Sequence, residues 1–248
     1  ILKDHFSFKI QKSNSLYIKT WQVPEEKIFG VLAPKLWKKL EEFATVSSYP
    51  RITGVDIFLD HLTLSKSEMI EKINSLEEIK ELKPHIWQIG NLSLAEYIIN
   101  LARDKNITIS SAESCTGGQI ANELTNIPGS SDVFLGTIVA YANIIKENLL
   151  NVSSETLESF GAVSLETAKE MAIGSYHNLK SDIAISTSGI AGPGGGTSEK
   201  PVGTVAIGIK SELSARSNIY HLKGNRIELK NRFTNRALLE LLSEIKNL

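Results

Sequence analysis

The chain has 248 residues, 42% of them hydrophobic and 22% charged, with 27 basic residues set against 28 acidic ones. These fractions place it among soluble globular proteins and exclude disordered and fibrous classes, while interspersed charges of near-zero sum give no broad attraction for nucleic acid or an anionic membrane. A single cysteine excludes an internal disulfide framework, no apolar run reaches the roughly 18 residues of a bilayer span, and the cytoplasm is the expected compartment.

The chain begins at Ile1 with neither a methionine nor a secretory pattern, which reads as a fragment or processed product lacking an upstream part. Alternating and 3.6-residue patterns then predict strand 16–22, helix 36–43, strand 51–59, helix 66–82 and strand 85–89, a small α+β set. Gly90-Asn91-Leu92-Ser93 divides this region from the next, so domains are expected at 1–92 and 93–248. Ser93 is a good N-cap for the amphipathic helix 93–105. Strand 107–111, helix 117–126, strand 134–141, helix 143–150 and helix 164–178 follow. Strands 182–187, 202–210 and 217–222 and a closing helix 225–246 complete the pattern. Continuous apolar strands such as FLGTIVAY and VGTVAIGI fit a sheet covered on both faces, hence a three-layer α/β C-terminal domain behind a smaller α+β N-terminal one.

Chemistry concentrates in the loops. ITISSAESCTGG, from Ile107 to Gly118, puts hydroxyls, Glu113 and a glycine pair into a strand-to-helix turn, where free N–H groups and a helix dipole suit a phosphate or an oxyanion. IPGSSDVF adds Ser130 and Ser131 before the next strand. A serine nucleophile needs a base. His5, His61, His85, His177 and His221 lie away from these loops and show neither triad nor zinc spacing, so no metal is expected. A buried, neutral lysine can replace histidine, and Lys146 is the plausible one, since a turn after strand 134–141 could return its amine toward Ser131. The alternative is a solvated Lys146 in the first turns of a helix, with Tyr141 packing at the strand end.

Cys115 is a rival nucleophile, because a thiol at a helix N-terminus has a lowered pKa; its plain alternative is a small buried side chain. Neither GxGxxG nor GxxxxGK[ST] is present, which disfavours nucleoside triphosphate chemistry. GIAGPGGGTSEK, from Gly189 to Lys200, must be a turned surface segment whose glycines allow close backbone approach to a ligand. Arg226, just beyond Gly224, is a candidate phosphate partner.

SAESCTGG at 111–118, GSS at 129–131, VAYANIIK at 139–146, GAVS at 161–164 and SGIAGPGGGTSEKPVGTV at 188–205 closely resemble the C-terminal domain of the CinA family. The resemblance runs from about 93 to 248. It implies a nicotinamide mononucleotide deamidase, a serine amidohydrolase with a Ser/Lys pair and no cofactor, releasing nicotinate mononucleotide and ammonia. On matching positions it implies Ser131 as nucleophile and Lys146 as base, with Ser114 and Tyr141 assisting. Glu113, Thr116, Gly117, Gly118, Gly192, Gly194, Gly195, Thr197 and Arg226 would bind the nucleotide substrate. The other reading is a non-catalytic nucleotide- or protein-binding module with a competence-related regulatory role. A homo-oligomer is expected. Residues 1–92 look like the family's KH-type middle domain, but no GxxG loop precedes Ser93, so nucleic acid is not an expected partner. Full-length members of the family carry a further N-terminal domain that resembles molybdopterin-binding proteins and is linked to ADP-ribose pyrophosphatase activity; the 248 residues hold no counterpart, and that activity is not expected of them.

Overall fold

The computed structural model describes residues 13–51 and 54–248. His5, and positions 52–53 of the strand expected over 51–59, lie outside them. The chain separates into two compact units between Asn91 and Leu92.

The first unit runs β1 (Asn14–Thr20), α1 (Glu25–Lys27) leading into a π-helical turn (Ile28–Leu32), α2 (Leu36–Glu41), β2 (Thr45–Pro50), β3 (Val55–His61), α3 (Lys66–Ser75), two 3₁₀ turns and β4 (Ile86–Gly90). The sheet order is β2-β3-β1-β4, antiparallel throughout. Leu16 and Ile18 of β1 alternate inward with Val55, Ile57 and Leu59 of β3, and meet Leu36 and Leu40 of α2 and Met69 and Ile73 of α3. Sequence periodicity does not reveal β2, TVSSYP, whose strand character comes from pairing along β3 from Thr45↔Asp60 to Pro50↔Val55. The helix expected over 66–82 stops at Ser75 because Leu76 is extended, and the chain then buries Ile79 and Leu82 through short turns.

The second unit contains α4 (Leu94–Asp104), β5 (Ile109–Glu113), α5 (Gln119–Thr125), a 3₁₀ turn (Ser130–Asp132), β6 (Phe134–Val139), α6 (Asn143–Leu150), α7 (Ser154–Phe160), α8 (Leu165–Leu179), β7 (Ile183–Gly189), β8 (Thr204–Ser211), β9 (Ala215–His221) and α9 (Arg226–Asn247). Ser93 and Glu96 form a capping box at the head of α4. The sheet order is β6-β5-β7-β8-β9; the first three strands are parallel, and β8 and β9 return antiparallel.

Alternation along the strands separates the two faces. Ser110 bonds Ser175 at 3.0 Å and Ser186 donates to the Ala168 carbonyl, which puts α8 on one face; Ala112 packs there with Leu150, Leu157 and Met171. Glu113 points the other way, into α5, which packs with α4 against α9. Three layers result. Helix α7 escapes the sequence pattern and is set by Ser153, which caps the Thr156 amide at 3.3 Å, and by Gly161 at its end. Half-exposed Arg216 of β9 bridges the buried Glu240 and Glu244 of α9 at 2.9 and 3.1 Å, a tie away from the loops. Among the described residues no helix is long and apolar enough to cross a membrane.

Gly174 of α8 lies against the Leu150 carbonyl at the end of α6, where a Cβ would stand 2.0 Å from the oxygen. Gly174→Ala is therefore expected to separate α8 from α6 and cost about 1–3 kcal/mol. Urea denaturation should show the lower midpoint, and an unchanged midpoint would contradict this packing.

Candidate active site

The parallel strands β6, β5 and β7 end side by side, and the loops leaving their carboxyl ends build the site, as expected for an open α/β sheet. Pairing continues past the strands: Ala140 N–H donates to Glu113 O at 2.8 Å, and Ser114 N–H to Thr187 O at 2.9 Å. Ser114 is thereby fixed between its neighbours before the chain turns away.

Glu113 makes that turn. Fully buried, its carboxylate accepts from the amides of Gly118, Ile120 and Ala121 at 2.9, 3.1 and 2.9 Å and from the Thr116 hydroxyl at 2.7 Å. Gly117 and Gly118, at φ 63° and 92°, supply the left-handed backbone that brings these amides round. The site expected for a ligand anion at the head of α5 is thus filled from within, because a carboxylate there satisfies the orphan amides and the dipole together. Glu113 and Thr116, expected at the substrate, are buried supports instead. Within 113–118 the amides of Cys115 and Thr116 make no backbone hydrogen bond.

Lys146 lies in the first turn of α6, where helical side chains lean toward the N-terminus, and its Nζ meets the end of β6. Nζ lies 2.9 Å from Ala140 O, 3.3 Å from Tyr141 O and 3.2 Å from Ser114 Oγ. Lys146 is 1% exposed and among the described residues no carboxylate forms an ion pair with it, so burial pushes its pKa below the ordinary lysine value. A neutral amine has two N–H bonds. The two carbonyls can hold both, leaving the lone pair for the Ser114 hydroxyl to donate into.

The turn expected to carry Lys146 to Ser131 does not do so. Ser131 is exposed, in the 3₁₀ turn before β6, whereas Lys146 closes on the residues after it. Six residues of strand at about 3.3 Å each put roughly 20 Å between these ends. Of the two readings of Cys115 the small buried side chain is the one found: desolvation pushes its thiol up to about 12, the reverse of the lowering that a nucleophile beside a helix N-terminus would show. The thiol stays protonated.

A cavity of about 200 Å³ opens over Ser114 and Lys146, lined further by Cys115, Tyr141, Asn143, Ala162, Val163, Ser188, Gly189, Ala191 and Arg226. Its lining contains two basic side chains and no acidic one. Arg226 Nη2 donates to Tyr141 Oη at 3.3 Å and Nη1 to the Gly192 carbonyl, which joins rim to loop. Gly194, Gly195 and Thr197 are exposed beyond the cavity, where Thr197 and Lys200 close a turn on each other. Ser188, Ala162 and Asn143 were not anticipated as lining residues. All three fall inside the distinctive strings SGIAGPGGG, GAVS and VAYANIIK, so the sequence held that signal. Among the described residues no group of three His, Cys, Asp or Glu side chains could hold a metal ion.

The family profile described as the CinA C-terminal domain matches residues 91–245. A CinA-like protein of Pseudothermotoga lettingae is 43% identical over 193 residues, covering 77% of this chain and 46% of that protein. Another, from Fervidobacterium nodosum, is 37% identical over 230 residues, covering 91% and 55%. The chain therefore spans about half the length of the curated relatives it matches. Among solved structures, the competence/damage inducible protein CihA of Agrobacterium tumefaciens superposes with a TM-score of 0.59 at 40% identity, over 60% of this chain and 92% of that one. A CinA superfamily protein from Klebsiella pneumoniae gives 0.60 at 27% identity, over 62% and 97%.

Proposed function

Because this chain belongs to the CinA family, we propose that it hydrolyses the carboxamide of nicotinamide mononucleotide to nicotinate mononucleotide and ammonia, with Ser114 as nucleophile and Lys146 as base. The observation that carries this reading is the buried Lys146 amine, 3.2 Å from Ser114 Oγ and held by two carbonyls. The family likeness at the site loops supports the substrate.

Neutral Lys146 takes the Ser114 proton as Oγ attacks the carboxamide carbon. The carbonyl oxygen becomes the oxyanion, and the Cys115 amide, next in chain to the nucleophile, is the donor nearest to hand; one such donor is worth roughly 3 kcal/mol. Lys146 returns the proton to the nitrogen, the C–N bond breaks and ammonia leaves an ester on Ser114. Water, deprotonated by the same amine, adds to the ester carbonyl; the C–O bond to Ser114 breaks, Lys146 returns the proton to Oγ, and the carboxylate product leaves. Tyr141 and Arg226, bonded to each other at the rim, would meet the ribose phosphate.

Incubating the 248-residue chain with nicotinamide mononucleotide should release ammonia and nicotinate mononucleotide in equal amounts. Binding of the nucleotide with no ammonia released would replace this reading with that of a regulatory binding module.

A further inference from the structure

The cavity is smaller than the whole of its proposed ligand. At about 200 Å³ it falls below the roughly 300 Å³ at which small-molecule pockets usually begin, so a bound mononucleotide would have to leave its ribose and phosphate across the mouth. Neither helix end at this mouth is open to an anion. Glu113 fills the head of α5, and the Asn225–Glu228 capping box fills that of α9. A phosphate must be met by side chains. Arg226 is the first, but two of its nitrogens are committed to Gly192 O and Tyr141 Oη.

One turn further along α9, and so on the same side of the helix as Arg226, is Lys230. Its Nζ reaches over the turn that carries Ser114: a side chain added at Gly117 would come within 3.5 Å of it. Gly117 N–H itself bonds Ser114 O at 3.1 Å, so this ammonium stands beside the nucleophile's own loop. Among the described residues it forms no ion pair or hydrogen bond. A half-buried cation held over a glycine turn, next to an anchored arginine and with no carboxylate in the cavity, is suited to a dianionic group.

We infer that Lys230, with Arg226, binds the phosphate of the mononucleotide and makes the site select a phosphorylated substrate over its nucleoside. This rests on the deamidase reading of the cavity. Gly117 is required for its left-handed backbone, and a Cβ there would stand in ordinary contact with the Lys230 amine at 3.5 Å.

The test compares the full chain with Lys230→Met and Lys230→Arg on nicotinamide mononucleotide and on nicotinamide riboside, and follows ribose 5-phosphate binding by thermal shift. Lys230→Met should raise KM for the mononucleotide about tenfold or more with kcat nearly unchanged, and leave kcat/KM for the riboside alone. Lys230→Arg should restore most of the loss. Equal losses on both substrates, or no loss on either, would overturn the assignment. Ribose 5-phosphate should stabilise the parent chain and Ser114→Ala but not Lys230→Met. If no amide is hydrolysed, that binding pattern would sink the deamidase reading and keep the phosphate site; stabilisation that survives Lys230→Met removes the site whatever the turnover.

Discussion

Ser114→Ala is expected to lower ammonia release from nicotinamide mononucleotide by about 10⁴-fold or more, while Ser131→Ala leaves kcat/KM within about twofold. The contrast follows from position. Ser114 Oγ is 3.2 Å from Lys146 Nζ and lines the cavity, and hydrogen bonds on either side, from Ala140 to Glu113 and from Ser114 to Thr187, prevent the backbone from moving away. Ser131 is exposed before β6, with Arg103 bonded to its neighbours Gly129 and Asp132 at 2.9 and 3.2 Å. Removing its hydroxyl vacates no cavity and breaks no bond to Lys146. Ammonia assays on both variants, with circular dichroism to check folding, decide it. An inactive Ser131→Ala beside an active Ser114→Ala would reverse the assignment.

The local alphabet of this chain was readable wherever one short segment decides the outcome. Ser93 followed by Glu96 marks the start of α4, and the apolar runs of β6 and β8 mark strands flanked by helices. Readability failed where a partner distant in sequence decides. The strand β2 is polar and owes its form to β3; α3 ends at Leu76 without a proline or glycine to announce it. The same failure governs the site. Lys146 and the serines could all be named from composition, yet pairing the lysine with Ser131 treats nearness in sequence as nearness in space. A parallel strand breaks that link: β6 carries the chain from one end of the sheet to the other, and the register Glu113↔Val139 then places Ser114, 32 residues before Lys146, beside its amine.

Burial was the second quantity hidden from the sequence. A glutamate in a serine-rich turn reads as a ligand-facing acid, and a cysteine before a helix reads as an activated thiol. Glu113 is enclosed and wholly engaged by amides and hydroxyls, so it shapes the loop and does not meet the ligand. For Cys115, desolvation outweighs the favourable field of a seven-residue helix whose head already holds a carboxylate. The thiol then serves as packing beneath Gly189, where an added Cβ would come within 3.1 Å of its Sγ.

Lys146 carries the second large effect. Lys146→Ala should cost about 10³-fold or more in kcat/KM, and Lys146→Arg about as much, because a guanidinium stays protonated and has no lone pair to offer Ser114. In the parent chain only the neutral amine acts as base, so activity should rise with pH, first order in hydroxide, and level off as Lys146 loses its proton. Burial sets the midpoint of that limb below the ordinary 10.5. Stability moves with the same sign. Between the folded value and 10.5 the unfolded chain binds more protons than the native one, so native stability should climb across this window, and Lys146→Met should remove the climb. Measuring kcat/KM against pH beside urea midpoints of both chains joins the two. A rate that is flat with pH up to 10.5, together with parallel stability profiles, would mean that the amine is already free of its proton by another route or is not the base.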